Sequence, residues 1–474
     1  MNDSFANTLI SDELILKYAT SGPRYTSYPT AVEFSSSVNP LVWFNAWKDD
    51  VAGEYAPNPT SIPFALSLYV HIPFCYKMCY FCACHKIVPS SRDIVAPYIS
   101  AIKKELDLYK NLIPSTSYVA QIHWGGGSPD YLTEYEIEDL HNYYLNSFPN
   151  VCADADISIE LDPRTTTKGH ITTLAKLKFN RISIGVQDFD LKVQACINRV
   201  QSFEQTKDVI ELARLSGIEN INIDLVYGLP EQTLPAFLET LARIIELRPS
   251  RIALYGYAHV TWIKKIQKTL EHAHIPTPNE RVTLFINALN TLTSAGYVYI
   301  GMDHFALLDD SLVIALRTKK LNRNFMGYST HKGARILGLG ASSISCLPTG
   351  YAQNQKDIDE YIKTVELGQS AIVRGLIKSR DDCLRGEIIE TILCSGELDI
   401  NDFESRWHMS FWQMFESSVQ ILENMQKDGL LILSKNKIML TPRGRILARN
   451  IAMIFDAYLE KHRATNKKVF SQAV

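Results

Sequence analysis

The stretch LSLYVHIPFCYKMCYFCACHK, residues 66–86, joins a short apolar run to four cysteines: Cys75, Cys79, Cys82 and Cys84. The run at 66–71 predicts a β-strand, and the cysteines follow on the loop after it. The first three cysteines have the spacing C-x3-C-x2-C, and the chain of 474 residues contains only nine in total. A strand that ends in a cluster of thiols therefore indicates both a fold and a chemistry.

The same pairing of an apolar run with a longer helical pattern repeats along the chain. The runs predict strands at 66–71, 119–124, 157–161, 181–186, 221–226, 252–256 and 297–302, and helical patterns lie at 94–112, 134–145, 203–216, 234–247 and 279–295. Thr133 and Glu136 form a capping box for the second helix. Strands that alternate with helices indicate a parallel sheet of βα units with right-handed crossovers. Six or more such units favour a barrel or part of one.

The remaining segments predict three further parts. Residues 1–60 form an N-terminal arm that is irregular apart from a short helix near 12–19, and the arm contains GPRYTSYPT. The partial barrel spans 61–305, and an extension associated with it spans 306–374. In the C-terminal domain, 375–474, helical patterns dominate, and GLLILSKNKIMLTPRGRIL at 429–447 predicts strand, turn, strand and helix, the outline of a winged-helix unit.

Composition argues against several classes of protein. The chain is 46% hydrophobic with a formal net charge of −3, and it has no basic excess that would indicate nucleic-acid or anionic-membrane binding. Its first residues, MNDSFANTLISDELILKY, lack the basic and apolar segments of a signal peptide. No apolar run reaches the ~18 residues that cross a bilayer. We expect a cytoplasmic protein that binds neither nucleic acid nor membranes.

The cysteine spacing is typical of a metal site, since cytoplasmic thiols stay reduced. Three thiolates at this spacing can hold three corners of an iron–sulfur cubane and leave the fourth iron open for a small molecule. A structural zinc site is the alternative, with Cys84 or His85 as the fourth ligand. Such zinc sites usually pair two knuckles far apart in sequence, and no second CxxC occurs here. Phe81, between the second and third cysteines, also suits packing beside a planar ligand.

Polar or glycine residues follow the other predicted strands. GGGSPD at 125–130 follows the second strand, and the next strands end in or carry Glu160, Gln187, Asp224 and Ala258. Consecutive glycines let a ligand approach closely and offer free N–H groups. Because the carboxyl ends of parallel strands meet at one mouth of a barrel, the set predicts one binding site.

A larger set of motifs resembles one family, the oxygen-independent coproporphyrinogen III oxidases of the radical S-adenosylmethionine (SAM) enzymes. The motifs are YVHIPFCYKMCYFCACHK, HWGGGSPDYL, ISIELDPR, GVQDF, NIDLVYGLP, YAHV, GMDHFA, NFMGYST and YAQNQK, with GPRYTSYPT in the arm and RDDC at 380–383. The resemblance implies an α/β fold with an incomplete (β/α)6 barrel, a [4Fe–4S] cluster, two SAM molecules per active site and a monomer. It also implies an electron donor such as a flavodoxin or ferredoxin.

The implied reaction is the oxidative decarboxylation of two propionates of coproporphyrinogen III to vinyl groups, which gives protoporphyrinogen IX. In each step a 5′-deoxyadenosyl radical, formed by reductive cleavage of SAM, removes a hydrogen atom from the β-carbon of a propionate. The substrate radical then loses CO2 and one electron. The cofactors carry this chemistry, and the protein supplies placement.

The resemblance also assigns residues. It makes Cys75, Cys79 and Cys82 the cluster ligands, and it places Cys84, with Tyr69, among the catalytic residues rather than the ligands. At the first SAM it places Tyr69, Gly126, Glu160 and Ile344. At the second SAM it places Phe81, Gly127, Ser128, Gln187, Arg199, Asp224 and Ala258. The residue types suit these roles, since carboxylates can pair with the SAM ammonium and Arg199 with its carboxylate.

Two positions depart from the family pattern. Arg335 stands where the family commonly has an acidic residue, and Thr261 stands where it usually has proline; both changes could affect how the porphyrinogen is seated. Arg24 of the arm is our candidate for binding a substrate carboxylate. Two alternatives stay open: a haem-binding or haem-trafficking relative without decarboxylase activity, and a zinc-bound regulator that uses its winged-helix end on DNA.

Overall fold

The N-terminal arm contains two helices, α1 (Asp12–Lys17) and α2 (Pro40–Ala52). The computed structural model describes residues 11–52, 64–464 and 470, so the predicted domain boundary between 60 and 61 lies outside the described residues. Helix α1 agrees with the short helix predicted near 12–19, whereas the reading of the rest of the arm as irregular missed α2. Trp43 and Trp47 share one face of α2 and are fully buried, so tertiary packing stabilises this helix.

Six parallel strands in sequence order form the centre of the main sheet, as the alternating pattern predicted. They are β1 (Ala65–Ile72), β2 (Tyr118–Gly126), β3 (Val151–Leu161), β4 (Arg181–Gln187), β5 (Asn220–Tyr227) and β6 (Arg251–Gly256). The helices between and after them are α3 (Val95–Lys110), α4 (Glu134–Ser147), α5 (Lys168–Lys176), α6 (Leu191–Cys196), α7 (Phe203–Leu215), α8 (Leu234–Leu247) and α9 (Pro278–Ser294). Helix α4 begins at the predicted capping box of Thr133 and Glu136.

The sheet continues on both sides of this centre. The strands and helices that follow are β7 (Tyr297–Gly301), β8 (His304–Leu307), α10 (Ser311–Arg317), β9 (Asn322–Asn324), β10 (Gly327–Ser329), β11 (Arg335–Leu339), β12 (Ile344–Leu347), β13 (Gly350–Asn354), α11 (Ile358–Glu366) and β14 (Ile372–Ile377). Strand β11 lies parallel to β1, and β12, β13 and β14 follow it antiparallel. The twelve strands have the order β14-β13-β12-β11-β1-β2-β3-β4-β5-β6-β8-β7 and leave the incomplete barrel open.

The seventh predicted strand, 297–302, is not a further parallel strand. Strand β7 forms a hairpin with β8, and β8 pairs antiparallel with β6. The tight connection between β7 and β8 allows only this arrangement, because a parallel neighbour needs a crossover of about a dozen residues. Strand β7 therefore forms one edge of the main sheet.

The C-terminal region is mainly helical with one small sheet, as predicted. Its elements are α12 (Arg380–Cys394), β15 (Glu397–Asp399), α13 (Ile400–Trp407), α14 (Phe411–Met414), α15 (Val419–Lys427), β16 (Leu431–Ser434), β17 (Lys437–Leu440), α16 (Pro442–Ile446), α17 (Ala448–Ala452) and α18 (Leu459–Ala464). Strands β16 and β17 form the predicted hairpin, and β15 pairs with β17. No helix in the described ranges has both the length and the apolar character required to cross a bilayer.

The arm is joined to the C-terminal helices by hydrogen bonds to its backbone and side chains. Arg449 donates from Nε to the Pro23 carbonyl at 2.7 Å and from Nη2 to the Gly22 carbonyl. The Tyr25 hydroxyl donates to Asp456 at 2.8 Å. These contacts fix the arm where Arg24 can point toward the mouth of the barrel.

A buried carboxylate fixes the turn between β11 and β12. Glu105 of α3 accepts hydrogen bonds from the Gly340 N–H at 2.8 Å, the Asn354 amide at 2.5 Å and the Tyr361 hydroxyl at 2.6 Å. Gly340 has a φ of +97°, and a Cβ there would lie 2.7 Å from the His71 carbonyl oxygen, so glycine is required. The turn places the start of β12 beside the ends of β1 and β2.

Candidate active site

The four cysteines lie on one loop after β1, and this cysteine loop (residues 73–87) is closed at its base. The Cys75 N–H donates to the Ile87 carbonyl at 2.9 Å, and the Ile87 N–H donates to the Pro73 carbonyl at 2.8 Å. Within the loop, the Cys82 N–H donates to the Cys79 carbonyl at 3.3 Å. The backbone of the protein thus fixes the positions from which the thiols project.

A neighbouring βα unit holds the tip of the cysteine loop. The Asn198 side chain donates to the Met78 carbonyl at 2.8 Å, and the Tyr80 N–H donates to the Ile197 carbonyl at 3.1 Å. Asn198 has a φ of +56°, a conformation that asparagine tolerates better than most residues. The segment after α6 therefore fixes the position of the tip of the cysteine loop.

Two arginines face the sulfur of Cys79. Arg199 Nη1 lies 3.6 Å and Arg164 Nη2 lies 3.8 Å from this Sγ. Both guanidinium groups also pair with Asp162, at 3.0 Å and 2.6 Å respectively. Two guanidinium groups therefore lie beside one of the predicted cluster ligands.

The thiols of Cys82 and Cys84 share a hydrogen bond. The bond from Cys84 lowers the pKa of Cys82 to about 5, against the effect of burial and with help from Lys86. The same bond and the charge of Cys82 raise the pKa of Cys84 well above its usual value, so Cys84 keeps its proton. Burial and neighbouring Cys82 raise the pKa of Cys75 to about 12. A loop with several thiols, one already favoured as thiolate, suits a cationic iron site.

A cavity of about 550 Å³ opens beside the cysteine loop, at the carboxyl ends of the strands. Six residues singled out from the sequence line it: Arg24, Tyr69, Cys84, Gly126, Glu160 and Ile344. The exposed Cys84 residue lines this cavity. The structure thus brings together the four residues predicted for the first SAM, one of which, Tyr69, is also predicted to be catalytic. The other predicted catalytic residue, Cys84, lines the same cavity.

Glu160 is the acidic group at the centre of these residues. Its Oε2 accepts from the Gly126 N–H at 3.1 Å, and its Oε1 lies 3.4 Å from Nε2 of His123. Burial disfavours the ionised form, but the hydrogen bond and charge of His123, with the Gly126 N–H, outweigh it and lower the pKa of Glu160. The site therefore presents a carboxylate at neutral pH, which can pair with an ammonium group.

Tyr69 and two histidines form the wall next to Glu160. The Tyr69 ring stacks on His123 with centroids 6.0 Å apart, and its hydroxyl lies 3.0 Å from Nδ1 of His71. Burial, with His85 nearby, lowers the pKa of His71 to about 4, so this ring is neutral. The wall offers rings and polar atoms but little charge.

The backbone of the glycine loop after β2 contacts the backbone of the cysteine loop. The sequence predicted free N–H groups in the glycine loop, but in the structure they donate hydrogen bonds within the protein. The Gly126 N–H donates to Glu160, the Gly127 N–H donates to the last carbonyl of β1 at 2.8 Å, and the Ser128 N–H donates to the Phe74 carbonyl at 2.8 Å. A Cβ on Gly127 would lie 2.7 Å from the Phe74 oxygen. These glycines therefore allow a close contact within the protein.

The seven residues predicted for a second SAM lie outside the lining of this cavity. They are Phe81, Gly127, Ser128, Gln187, Arg199, Asp224 and Ala258. Gln267 ties two of them together, because its Nε2 donates to the Phe81 carbonyl at 2.8 Å and to the Ala258 carbonyl at 3.0 Å. The Ser128 hydroxyl donates to buried Asp130.

Asp224 and Arg199 differ from the other members in carrying charge. Asp224 accepts from Asn222 at 2.8 Å and Ser183 at 3.2 Å, and burial, with the charge of Glu160, raises its pKa to about 7. Arg199 pairs with a carboxylate of the protein, Asp162, rather than having its charge free. Its buried Nε has no hydrogen-bond partner among the described residues and remains available to a ligand.

Gln187 lies next to Arg199 at the end of β4. A Cβ on Gly185 would come within 2.8 Å of Gln187 Nε2 and 3.0 Å of Arg199 Nη2, so both side chains cover this glycine. Arg199 in turn reaches the Cys79 sulfur, so Gln187 and Arg199 lie on the part of the structure that holds the cysteine loop.

The two departures from the family pattern lie away from the cavity. Arg335 pairs with Asp50 of α2 at 2.9 Å and lies 4.7 Å above the ring of Phe64, so it joins the arm to the sheet. Thr261 lies in the turn after β6 and does not line the cavity. Neither side chain is placed to seat a substrate there.

Several lining residues were not identified from the sequence: His71, His123, Tyr255, Asp303, His304, Arg323, Phe325 and Met326. The period of two along a strand could have found His71, because it shares a face of β1 with Tyr69. The hairpin of β9 and β10 had no such signal. The motif NFMGYST supports the resemblance, but the resemblance assigned no function to its residues.

Comparisons with known proteins bear on the family of this chain. A model of the Radical SAM superfamily matches residues 69–244, and a model of the HemN C-terminal domain matches residues 379–447. Similar proteins named oxygen-independent coproporphyrinogen III oxidase occur in Salmonella typhimurium (41% identity, 94% of this chain and 95% of the relative), Helicobacter pylori strain J99 (40%, 96% and 98%) and Synechocystis (39%, 100% and 100%). The solved structure described as coproporphyrinogen III oxidase (HemN) from Escherichia coli, a radical SAM enzyme, has a TM-score of 0.86 at 40% identity and covers 92% of this chain and 97% of its own.

Proposed function

This chain belongs to the oxygen-independent coproporphyrinogen III oxidase family of radical SAM enzymes, and from that premise we propose its reaction. It converts two propionates of coproporphyrinogen III to vinyl groups by oxidative decarboxylation and yields protoporphyrinogen IX in haem biosynthesis. The observation that carries the proposal is the cavity in which Tyr69, Glu160 and the cysteine loop meet. Family membership implies a [4Fe–4S] cluster and SAM, which supports the cluster over the zinc alternative.

Cys75, Cys79 and Cys82 are the residues that would hold the cluster, and Glu160 would pair with the ammonium group of the first SAM. When bound, the two cofactors supply the radical that removes a hydrogen atom from the substrate. Gly126 supports this arrangement because its N–H fixes the Glu160 carboxylate. Tyr69 and Ile344 line the same cavity. Together these residues bind and orient SAM and keep water from the reacting atoms.

A second SAM is the finer part of the proposal. Asp224 would attract its cationic groups, and the unpartnered Nε of Arg199 would meet its carboxylate. Gln187, Phe81, Gly127, Ser128 and Ala258 complete this set. Cys84 stays protonated next to Cys82 and faces the cavity, so it would act at the substrate or the second SAM.

The partners follow from the same reaction. Coproporphyrinogen III is the substrate, and a flavodoxin or ferredoxin supplies electrons. We place the enzyme in the cytoplasm as a monomer that binds neither nucleic acid nor membranes. The net charge of −3 supports the exclusion of nucleic acid.

An anaerobic turnover assay tests the proposal. Reconstituted protein is incubated with SAM, a reductant, an electron acceptor and coproporphyrinogen III, and protoporphyrin, CO2 and 5′-deoxyadenosine are measured. We expect protoporphyrinogen and about two 5′-deoxyadenosines for each product formed, since each decarboxylation consumes one SAM. Haem binding without decarboxylation would instead support the trafficking alternative, which the presence of Cys84 and of GPRYTSYPT disfavours.

A further inference from the structure

We propose that Arg323 binds a propionate carboxylate of the tetrapyrrole substrate, an assignment that rests on the proposed function. Arg323 lies on β9, in the hairpin with β10, and lines the active-site cavity. The hairpin forms a two-stranded sheet separate from the main sheet and contributes Arg323, Phe325, Met326 and Gly327 to the lining. None of these four residues is assigned to a SAM, so the hairpin offers a surface for the substrate.

Within the described part of the chain, no carboxylate forms an ion pair with the guanidinium of Arg323. Its Nε and Nη1 are shielded from solvent and form no hydrogen bond with any described residue. It takes part in none of the ion pairs among the described residues, unlike the cavity's Arg24. Guanidinium nitrogens that are shielded from water and lack a partner are unfavourable, so a ligand that supplies a negative group would bind well there.

The surroundings of Arg323 hold it in place. Arg323 stands directly opposite Tyr328 in the hairpin, and its guanidinium lies 4.7 Å from the centre of that ring. The Tyr328 hydroxyl donates to the buried Leu393 carbonyl at 3.1 Å, which fixes the ring. Burial, with the charge of Arg323, lowers the pKa of adjacent His304 to about 3, so His304 adds no second positive charge. A rigid fork of donors is suited to a planar carboxylate.

The other charges of the cavity are already matched. Arg24, our candidate from the sequence, pairs with Asp303 at 3.0 Å and donates to the Gly256 carbonyl at 3.0 Å. Glu160 is held by His123 and a backbone N–H. Arg323 is thus the cavity cation whose charge remains for the substrate, which carries four carboxylates.

Arg323 also lines a neighbouring cavity of about 220 Å³, and the two cavities share the wall formed by this side chain and Phe325. The smaller cavity contains Glu390, whose buried Oε1 has no hydrogen-bond partner in the described part of the chain. A second carboxylate would be repelled there. We therefore assign the substrate carboxylate to the larger, active-site cavity.

SAM also has a carboxylate, so the test must distinguish the two sources. The variants are Arg323→Gln and Arg323→Lys, with Arg406→Gln as a control because Arg406 lies in a partly exposed ion-pair cluster on α13. For each, the KM for coproporphyrinogen III, the KM for SAM and the formation of 5′-deoxyadenosine without substrate are measured. Binding of coproporphyrin III, the stable oxidised form with the same four propionates, is measured by absorbance titration.

We expect Arg323→Gln to raise the KM for coproporphyrinogen III and the Kd for coproporphyrin III by about 30-fold or more, the loss typical of one charge-assisted contact. Arg323→Lys should fall between this variant and the wild type. SAM cleavage without substrate and the SAM KM should stay unchanged, and Arg406→Gln should match the wild type throughout. A raised SAM KM with an unchanged Kd for coproporphyrin III would assign the carboxylate to SAM and overturn the proposal, as would a wild-type Kd in Arg323→Gln.

Chemical modification of the wild-type protein gives a second test that does not depend on the folding of a variant. Phenylglyoxal attacks free guanidinium groups, and mass spectrometry identifies the modified arginines. Coproporphyrin III should protect Arg323 in the reconstituted protein, whereas SAM alone should not. Equal modification with and without coproporphyrin III would contradict the assignment. If the wild type makes no protoporphyrinogen but coproporphyrin III still protects Arg323, the result would count against the proposed reaction and not against this site.

Discussion

Replacing Gly127 by alanine should strongly weaken the retention of the cluster. The added Cβ would lie 2.7 Å from the Phe74 oxygen and 2.8 Å from the Pro73 carbonyl carbon, whereas ordinary contact begins at 3.4 Å. The two backbones must therefore separate by about 0.7 Å. Because Phe74 directly precedes Cys75, the displacement reaches the first cluster ligand.

The free-energy cost of the Gly127→Ala substitution comes from two stretched hydrogen bonds and from overpacking. The Gly127 and Ser128 N–H groups donate to the neighbouring segment at 2.8 Å, and a shift of about 0.7 Å stretches both bonds to the limit of hydrogen bonding. Losing two bonds at about 1 kcal/mol each, with about 1 kcal/mol for overpacking, gives about 3 kcal/mol. That corresponds to about 100-fold weaker retention of the cluster.

The assay compares iron and acid-labile sulfide per chain after anaerobic reconstitution, followed by the rate of iron loss to a chelator. Gly125→Ala is a matched variant, because its Cβ would meet only the flexible end of Glu160 at 2.9 Å. It should keep the cluster and bind SAM more weakly. Gly386→Ala, inside α12 with its nearest contact at 3.6 Å, should keep the cluster and stabilise the fold by about 0.5 kcal/mol. A Gly127→Ala protein with wild-type iron content and wild-type chelation rate would refute the contact argument.

Cys79→Ser should lose most iron and sulfide, while Cys84→Ser should keep both, and equal loss in the two variants would overturn the ligand assignment. Burial raises the pKa of Asp224 to about 7, so its charge forms as pH rises through that value. SAM affinity, measured by equilibrium dialysis, should therefore rise between about pH 6 and about pH 8 and lose this part of its pH dependence in Asp224→Asn; an unchanged profile in that variant would remove Asp224 from the site. The unfolded chain releases this proton near the ordinary aspartate pKa of about 4, whereas the native chain holds it up to about pH 7, so wild-type stability should fall relative to Asp224→Asn as pH rises from about 4 to about 7 and then level off. Arg449→Met should lower the free energy of unfolding by about 3 kcal/mol and expose the arm to limited proteolysis, because two buried carbonyls lose their donor; Arg443→Met, at an exposed position, should change neither, and an intact arm in Arg449→Met would contradict the reasoning.

The central part of the fold could be read from the sequence because its signals are local. Strands β1 to β6 are short apolar runs, each followed by a helical pattern, and Thr133 marks the start of α4 by its own side chain. Glu160 and Asp224 were identified for the same reason, since strand ends meet at one mouth whatever the rest of the fold. Strand ends thus identified Glu160 and the glycine loop from the residues, whereas Tyr69 and Ile344 came from the resemblance alone.

The rest depends on contacts between distant segments. Strand β11 is five residues long, and nothing within it indicates that it lies parallel to β1. Arg24 and Arg323 look equivalent as sequence, but only the fold shows that Asp303 pairs with Arg24. The glycine loop likewise predicts free N–H groups until its partner backbone is in place. Each of these outcomes depends on pairing that a local pattern does not encode.

The joining of the arm to the last helices has a consequence for the order in which the protein is made. Pro23 is synthesised 426 residues before Arg449, and Tyr25 is synthesised 431 residues before Asp456. The arm therefore cannot make these contacts until the C-terminal helices exist. Docking of the arm beside the mouth of the barrel is then a late event in folding, after the parallel strands between the two ends have been made.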